Sequence, residues 1–169
     1  MILYHGTNLD IQSIDLALCR PYKDFGRGFY TTELSEQAQK MAGRVAKIYG
    51  GTPIVNVYEV PDDLLKIPEL NIMDFGNIPS GNWALFVMNN RNKYFTYLGN
   101  MNCNFDCKYD IVSGPIADDD MTVLFRQYQN NMITLNMLIN GMTYKETTSQ
   151  YSFHTERAIK LLRKVGVLL

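Results

Sequence analysis

Cysteine is scarce in this 169-residue chain. Cys19, Cys103 and Cys107 make an odd set without disulfide-framework spacing, so a reducing cytoplasm is the expected setting. Metal chemistry is not expected either: Cys103 and Cys107 have no second pair at zinc spacing, and Cys19 or His154 would have to complete a site. Charge of one sign is also missing, with 16 basic residues against 17 acidic. That removes any global attraction to nucleic acid or an anionic membrane and leaves only a local patch as a route to either. No apolar run approaches the ~20 residues of a membrane span. No basic stretch precedes an apolar signal region at the start, so a cytoplasmic protein without a membrane partner is expected. Repeats, low-complexity tracts and linkers are absent, and residues 1–169 read as one domain with enough chain to bury a core.

What is present is a series of short, contrasted segments. Residues 1–5 read as a strand, and Ile11, Ile14 and Leu16 as inward positions after a turn. Pro21 and Asp24 fall in a loop. Ser35 reads as an N-cap for a helix over 37–48, where Ala38, Met41, Ala42, Val45 and Ala46 recur at helical spacing and Gly50 and Gly51 end the run. Residues 53–60 read as an inner strand and 64–71 as a strand broken by Pro68. Residues 80–89 predict a short helix capped by Ser80 or Asn82, and 109–112 a strand stopped by the turn Ser113-Gly114-Pro115. The acids Asp118, Asp119 and Asp120 predict an N-cap for a helix carrying Met121, Leu124, Phe125 and Tyr128. A second helix carries Ile133, Leu135, Leu138 and Ile139 up to Gly141. A polar loop follows, then a strand over 150–155. A closing helix is expected through Ala158, Leu161, Leu162 and Val165. Short strands with segregated helices favour an α+β fold over a doubly wound sheet.

Chemistry concentrates near the start. Residues 3–7 read Leu-Tyr-His-Gly-Thr and residues 25–32 read Phe-Gly-Arg-Gly-Phe-Tyr-Thr-Thr. Each looks like a strand end where glycine lets a ligand approach the main chain. Gly26 and Gly28 flank Arg27, but there is no third glycine and no strand-to-helix setting for a dinucleotide fingerprint.

These two motifs, in this order and followed by a helix near Ser35, resemble the poly(ADP-ribose) polymerase-type branch of the ADP-ribosyltransferase superfamily, and within it a group of small bacterial proteins of unknown function. The resemblance implies two small sheets packed as a split β-sandwich, with flanking helices and an NAD cleft between the sheets. It also implies transfer of a single ADP-ribose from NAD+ to a macromolecular acceptor, with release of nicotinamide. His5, Tyr30 and Gln150 would be the catalytic set. His5 would bond the adenosine-side ribose, the Gly6 main chain would hold the nicotinamide carboxamide, and Tyr30 would stack on the nicotinamide ring. Thr7, Gly26, Arg27, Gly28, Thr31, Thr32 and Met41 would complete the NAD-binding surface.

Two positions depart from that pattern. Gln150 stands where the family has a glutamate, keeping a hydrogen bond but not a charge. The loss of such an electrostatic partner costs about 3 kcal/mol, on the order of 100-fold in rate, so polymer synthesis is not expected. Glu146 is the nearest carboxylate in sequence. Met41 replaces a second stacking tyrosine and offers a polarisable thioether instead. The loop over 141–149 would face the acceptor. A role as a toxin or effector, neutralised by a protein partner, accompanies the resemblance. An NAD glycohydrolase and a catalytically silent module binding NAD, ADP-ribose or a protein are the alternatives.

Overall fold

The computed structural model describes residues 1–94, 102–143 and 148–169. Glu146, with the rest of 144–147 in the expected acceptor loop, and residues 95–101 of the Asn-rich stretch lie outside the described residues.

The chain is α+β. Seven strands, β1 (Ile2–Thr7), β2 (Phe29–Thr32), β3 (Ile54–Glu59), β4 (Ile72–Asp74), β5 (Ile111–Pro115), β6 (Ser149–Phe153) and β7 (Arg163–Leu168), make one sheet in the order β4-β5-β6-β2-β1-β3-β7. Among the described residues, only the β4–β5 pair is parallel. The helices are α1 (Ser35–Tyr49), α2 (Gly81–Arg91), α3 (Asp119–Gln129), α4 (Leu135–Met142) and the single turn α5 (Glu156–Ile159).

Strand alternation sorts the residues onto two faces. Registers Tyr4–Thr32, Tyr30–Ser152, Thr32–Gln150 and Tyr4–Val57 put these side chains on one face. That face carries α1 to α4, over a core of Phe25, Trp83, Phe86, Val112, Met121, Phe125 and Leu138 and a smaller one of Ala38, Ala42 and Val55. Leu3, Phe29, Tyr58, Ile111 and Phe153 fill the other face under α5 and the segments beside it.

The expectation of two small sheets is corrected in a specific way. β1 pairs with β3 at six positions and β2 pairs with β6 at four, but β1 and β2 meet in register only at Tyr4–Thr32. The strands therefore form one sheet made of two halves, β7-β3-β1 and β2-β6-β5-β4, joined at a single pair.

Three element expectations fail for local reasons. The closing helix stops after one turn at α5, and Val165 belongs to β7. The free edge of β3 offers a ladder with five registered partners, and the β-branched Val165 and Val167 suit it better than a helix. Residues 64–71 hold a 3-10 turn at Leu64–Lys66, Pro68 interrupts the chain after it, and the strand begins only at Ile72. Ser113, Gly114 and Pro115 are not a turn but the end of β5, registered against Tyr151, Gln150 and Ser149. The caps fare better. Ser80 Oγ accepts from the Trp83 N–H, and the Asp118 carboxylate accepts from the Met121 N–H. Ser35, by contrast, is the first helical residue of α1; the N-cap position falls to Leu34, and no side chain caps the helix start.

Candidate functional site

The join between the half-sheets is where the first motif falls. Met1 and Val60 exchange both main-chain bonds across β1 and β3, at 3.0 and 2.9 Å. Antiparallel ladders alternate, so Leu3, His5 and Thr7 turn their main chains to β3, while Ile2, Tyr4 and Gly6 turn theirs toward β2. Tyr4 finds Thr32 there, and the register then stops. The Gly6 N–H and C=O thus point toward β2 at the gap in the ladder beyond that pair, where Gly6 is buried.

His5 borders that gap. Its Nδ1 lies 2.7 Å from the Tyr30 carbonyl oxygen, and its ring stacks on Phe29 at 4.3 Å between centroids. A carbonyl only accepts, so Nδ1 carries the hydrogen. Burial lowers the imidazole pKa below its ordinary value, against a smaller opposing effect of the Tyr30 carbonyl bond. The neutral ring therefore leaves Nε2 as an acceptor, suited to a hydroxyl donor.

Gly6 has a second reason to be glycine. A Cβ there would stand 2.8 Å from both the Ala38 carbonyl carbon and the Ala42 nitrogen, and closer still to the Ala38 oxygen. The main chain of α1 lies directly on β1, held by the buried Ala38 and Ala42. Helix packing excludes a side chain here whether or not a ligand is bound.

The second motif forms a tight loop around the Tyr30 hydroxyl, which accepts from the Phe25 N–H at 2.9 Å and donates to the Gly26 carbonyl at 2.7 Å. Gly26 adopts φ +91°, open to glycine and strained for other residues. A Cβ on Gly28 would stand 2.6 Å from His154 Nδ1. The half-buried Tyr30 ring lies near-parallel to Phe25 at 6.3 Å and edge-on to His154. Burial, and secondarily the charge of Asp24, push its phenol pKa well up, so the hydroxyl stays protonated.

Gln150 sits opposite Thr32 on the Tyr30 face, buried. Its Nε2 donates to Asp24 Oδ2 at 2.8 Å and approaches the Pro115 carbonyl at 3.4 Å. Arg91 grips the other oxygen of Asp24 through Nε at 2.9 Å and Nη2 at 2.7 Å, and reaches Thr122 Oγ1 and the Ala117 carbonyl with its remaining donors.

The remaining expected residues divide. Thr32 is buried and donates to Gln37 Oε1 at the start of α1. Thr31 is buried on the opposite face, donating to the Tyr151 carbonyl, and the Thr7 hydroxyl donates to its neighbour Asn8. Arg27 is exposed, with one donor on the Ala17 carbonyl, and Met41 is exposed on α1. His5 alternates to the face opposite Tyr30 and Gln150. What joins His5 to Tyr30 is the Tyr30 main chain, and among the described residues no bond joins His5 to Gln150.

Three residues of this region were not among the site residues expected from sequence. Asp24 and Arg91 are 67 positions apart and lie in no motif, so nothing in the sequence pairs them. His154 is buried between Arg27 and Ser152: Nδ1–H donates to the Arg27 carbonyl at 2.7 Å and Nε2 lies 2.7 Å from Ser152 Oγ. Burial pulls its pKa down to about 4, opposed by the Arg27 bond and the charge of Asp110. It braces the second motif as a neutral hydrogen-bonding group. No metal-holding cluster of His, Cys, Asp and Glu occurs among the described residues.

A family model for proteins of unknown function, DUF3990, matches residues 1–163, and the chain belongs to that family. No curated protein and no solved structure matches it.

Proposed function

We propose that this DUF3990 member is an NAD+-dependent mono-ADP-ribosyltransferase, with its nicotinamide site at the gap between β1 and β2. One observation carries the reading: the β1–β2 register ends at Tyr4–Thr32, just where His5 and Gly6 begin. In a continuous sheet, no ligand touches side chains on both faces at once. Past that pair, the His5 side chain from one face meets the main chain of Tyr30, whose ring belongs to the other, so a ligand at this join would border both faces. The Gly6 N–H and C=O that turn toward β2 there match the acceptor and donor of a primary carboxamide. His5 Nε2 matches a ribose hydroxyl, and the partly buried Tyr30 ring supplies an aromatic surface for a pyridinium ring.

In the proposed reaction, the bond between nicotinamide nitrogen and ribose C1′ breaks. Its electron pair neutralises the pyridinium, and a nucleophile of the acceptor forms the new bond to C1′ and loses its proton. The ring is cationic before the bond breaks and departs as neutral nicotinamide, so the leaving group needs no protonation and the protein's part is to position the ribose and favour its developing positive charge. Gln150 contributes an amide dipole to that charge where a carboxylate would contribute more, which fits slow, single transfer. The same uncharged amide favours a second reading, a module that binds NAD+ without turnover.

The test is nicotinamide release from NAD+ by wild type, His5→Ala and Tyr30→Ala, with and without cell lysate as acceptor source. Release that needs both residues and grows with lysate supports the transferase. Release indifferent to lysate identifies a glycohydrolase. Thermal stabilisation by NAD+ without release supports the silent module, and the absence of both refutes the NAD+ site.

A further inference from the structure

We propose that Asp24 is the carboxylate of this site, a positioning residue that acts through Gln150. The inference rests on the transferase reading above. Asp24 and Gln150 are each 8% exposed, and the Gln150 Nε2 donates to Asp24 Oδ2 at 2.8 Å. An amide nitrogen facing a carboxylate avoids lone-pair repulsion, so the side chain has one stable orientation and its Oε1 is the atom left to meet a ligand. Asp24 cannot swing away. Arg91 holds its other oxygen, and the Ala117 N–H approaches Oδ2 at 3.4 Å.

This arrangement explains why position 150 is glutamine. A glutamate there would bring two carboxylates within hydrogen-bonding distance, with a single guanidinium to offset both. The negative charge stands one side chain back from the ribose, and acts by fixing and polarising the Gln150 carbonyl. The same loop serves Tyr30, whose hydroxyl is tied to Phe25 and Gly26, the two residues after Asp24. Asp24 thus holds the loop that carries one site residue and the amide of another.

The test compares nicotinamide release, with kcat and KM separated, and thermal unfolding for four proteins: wild type, Asp24→Asn, Gln150→Glu, and the double exchange Asp24→Asn/Gln150→Glu. Each single change is expected to lower kcat about tenfold or more. The double exchange keeps one amide and one carboxylate in contact, and is expected to recover kcat above both singles. A merely structural Asp24 would let the double exchange recover the melting temperature without kcat, and that result overturns the proposal. So does wild-type kcat in Asp24→Asn. Gln150→Met leaves the Asp24–Arg91 pair standing and serves if Asp24→Asn does not fold: lost kcat supports the proposal, and unchanged kcat overturns it. A wild type that neither releases nicotinamide nor is stabilised by NAD+ refutes the transferase reading instead. The role of Asp24 then falls with the reading it rests on, whatever the melting temperatures show.

Discussion

Gly6→Ala separates packing from ligand binding at the β1–β2 gap. The added Cβ would meet main-chain atoms of α1, with the Ala38 carbonyl carbon and the Ala42 nitrogen both at 2.8 Å. Ordinary carbon contacts are about 3.5–4.0 Å, so the helix must retreat by about 1 Å or more, the Ala38 oxygen being nearer still. No rotamer change relieves the clash, because the opposing atoms are helix backbone. Ala38 and Ala42 are 2% and 0% exposed, and both lose their seat on the sheet. Overpacking of this kind costs about 3 kcal/mol at the upper end of its usual range. Removing glycine from a strand returns about 0.5–1 kcal/mol of that, leaving a net loss of about 2 kcal/mol. For a chain of this size that is a fall in Tm of about 4–8 °C. The assay is thermal unfolding of the ligand-free protein by circular dichroism. Gly43→Ala serves as control, since Gly43 lies in the same helix with nothing within 4 Å of its would-be Cβ; it should raise Tm slightly. A Gly6→Ala protein melting within about a degree of wild type would refute the packing account and leave glycine there for the ligand alone.

Other expectations arise from the surrounding geometry. His154 has its pKa lowered from 6.5 to about 4, chiefly by burial. Between those values the unfolded chain takes up a proton that the folded one refuses, so stability falls as pH drops through this window, by about 3 kcal/mol. His154→Gln should flatten that slope in chemical denaturation from about pH 7 to 4, leaving the contribution of His5, which has the same direction; an unchanged slope would exclude His154 as its source. Tyr30→Phe keeps the ring but strands the Phe25 N–H and the Gly26 carbonyl, costing about 1–3 kcal/mol. Unfolding should register that loss while the KM for NAD+ holds, and a raised KM at unchanged Tm would reverse the assignment of ring and hydroxyl. Arg91→Ala leaves Asp24 without its cation and should cost about 3 kcal/mol, as for other buried pairs; a variant as stable as wild type in denaturant would show that Gln150 and the Ala117 N–H suffice.

Local patterns carried much of the fold. Helical spacing placed α1 to α4, and side-chain oxygens at Ser80 and Asp118 marked two of their starts, because capping depends on residues three positions apart. The first motif and the Tyr30 strand were legible for the same reason: strand-forming residues ending at glycine are a short-range signal. Where competition was long-range, sequence misled. Val165 fits a helical stripe as well as a strand, and only the open edge of β3 decides between them. Pro115 reads as a turn until β6 is laid beside it.

The candidate site divides along the same line. The sequence by itself determined that His5, Gly6 and Tyr30 sit at strand ends with small residues beside them, and that Gln150 heads a late strand, since those properties belong to neighbours along the chain. Only the tertiary structure decided that the β1–β2 ladder stops at one pair, that α1 forbids a side chain at Gly6, and that His5 and Tyr30 face opposite ways across the gap. It alone joined Gln150 to Asp24, 126 residues away, and Asp24 to Arg91. Such pairings depend on which surfaces meet when the half-sheets and helices pack, and no local spacing in the chain encodes them.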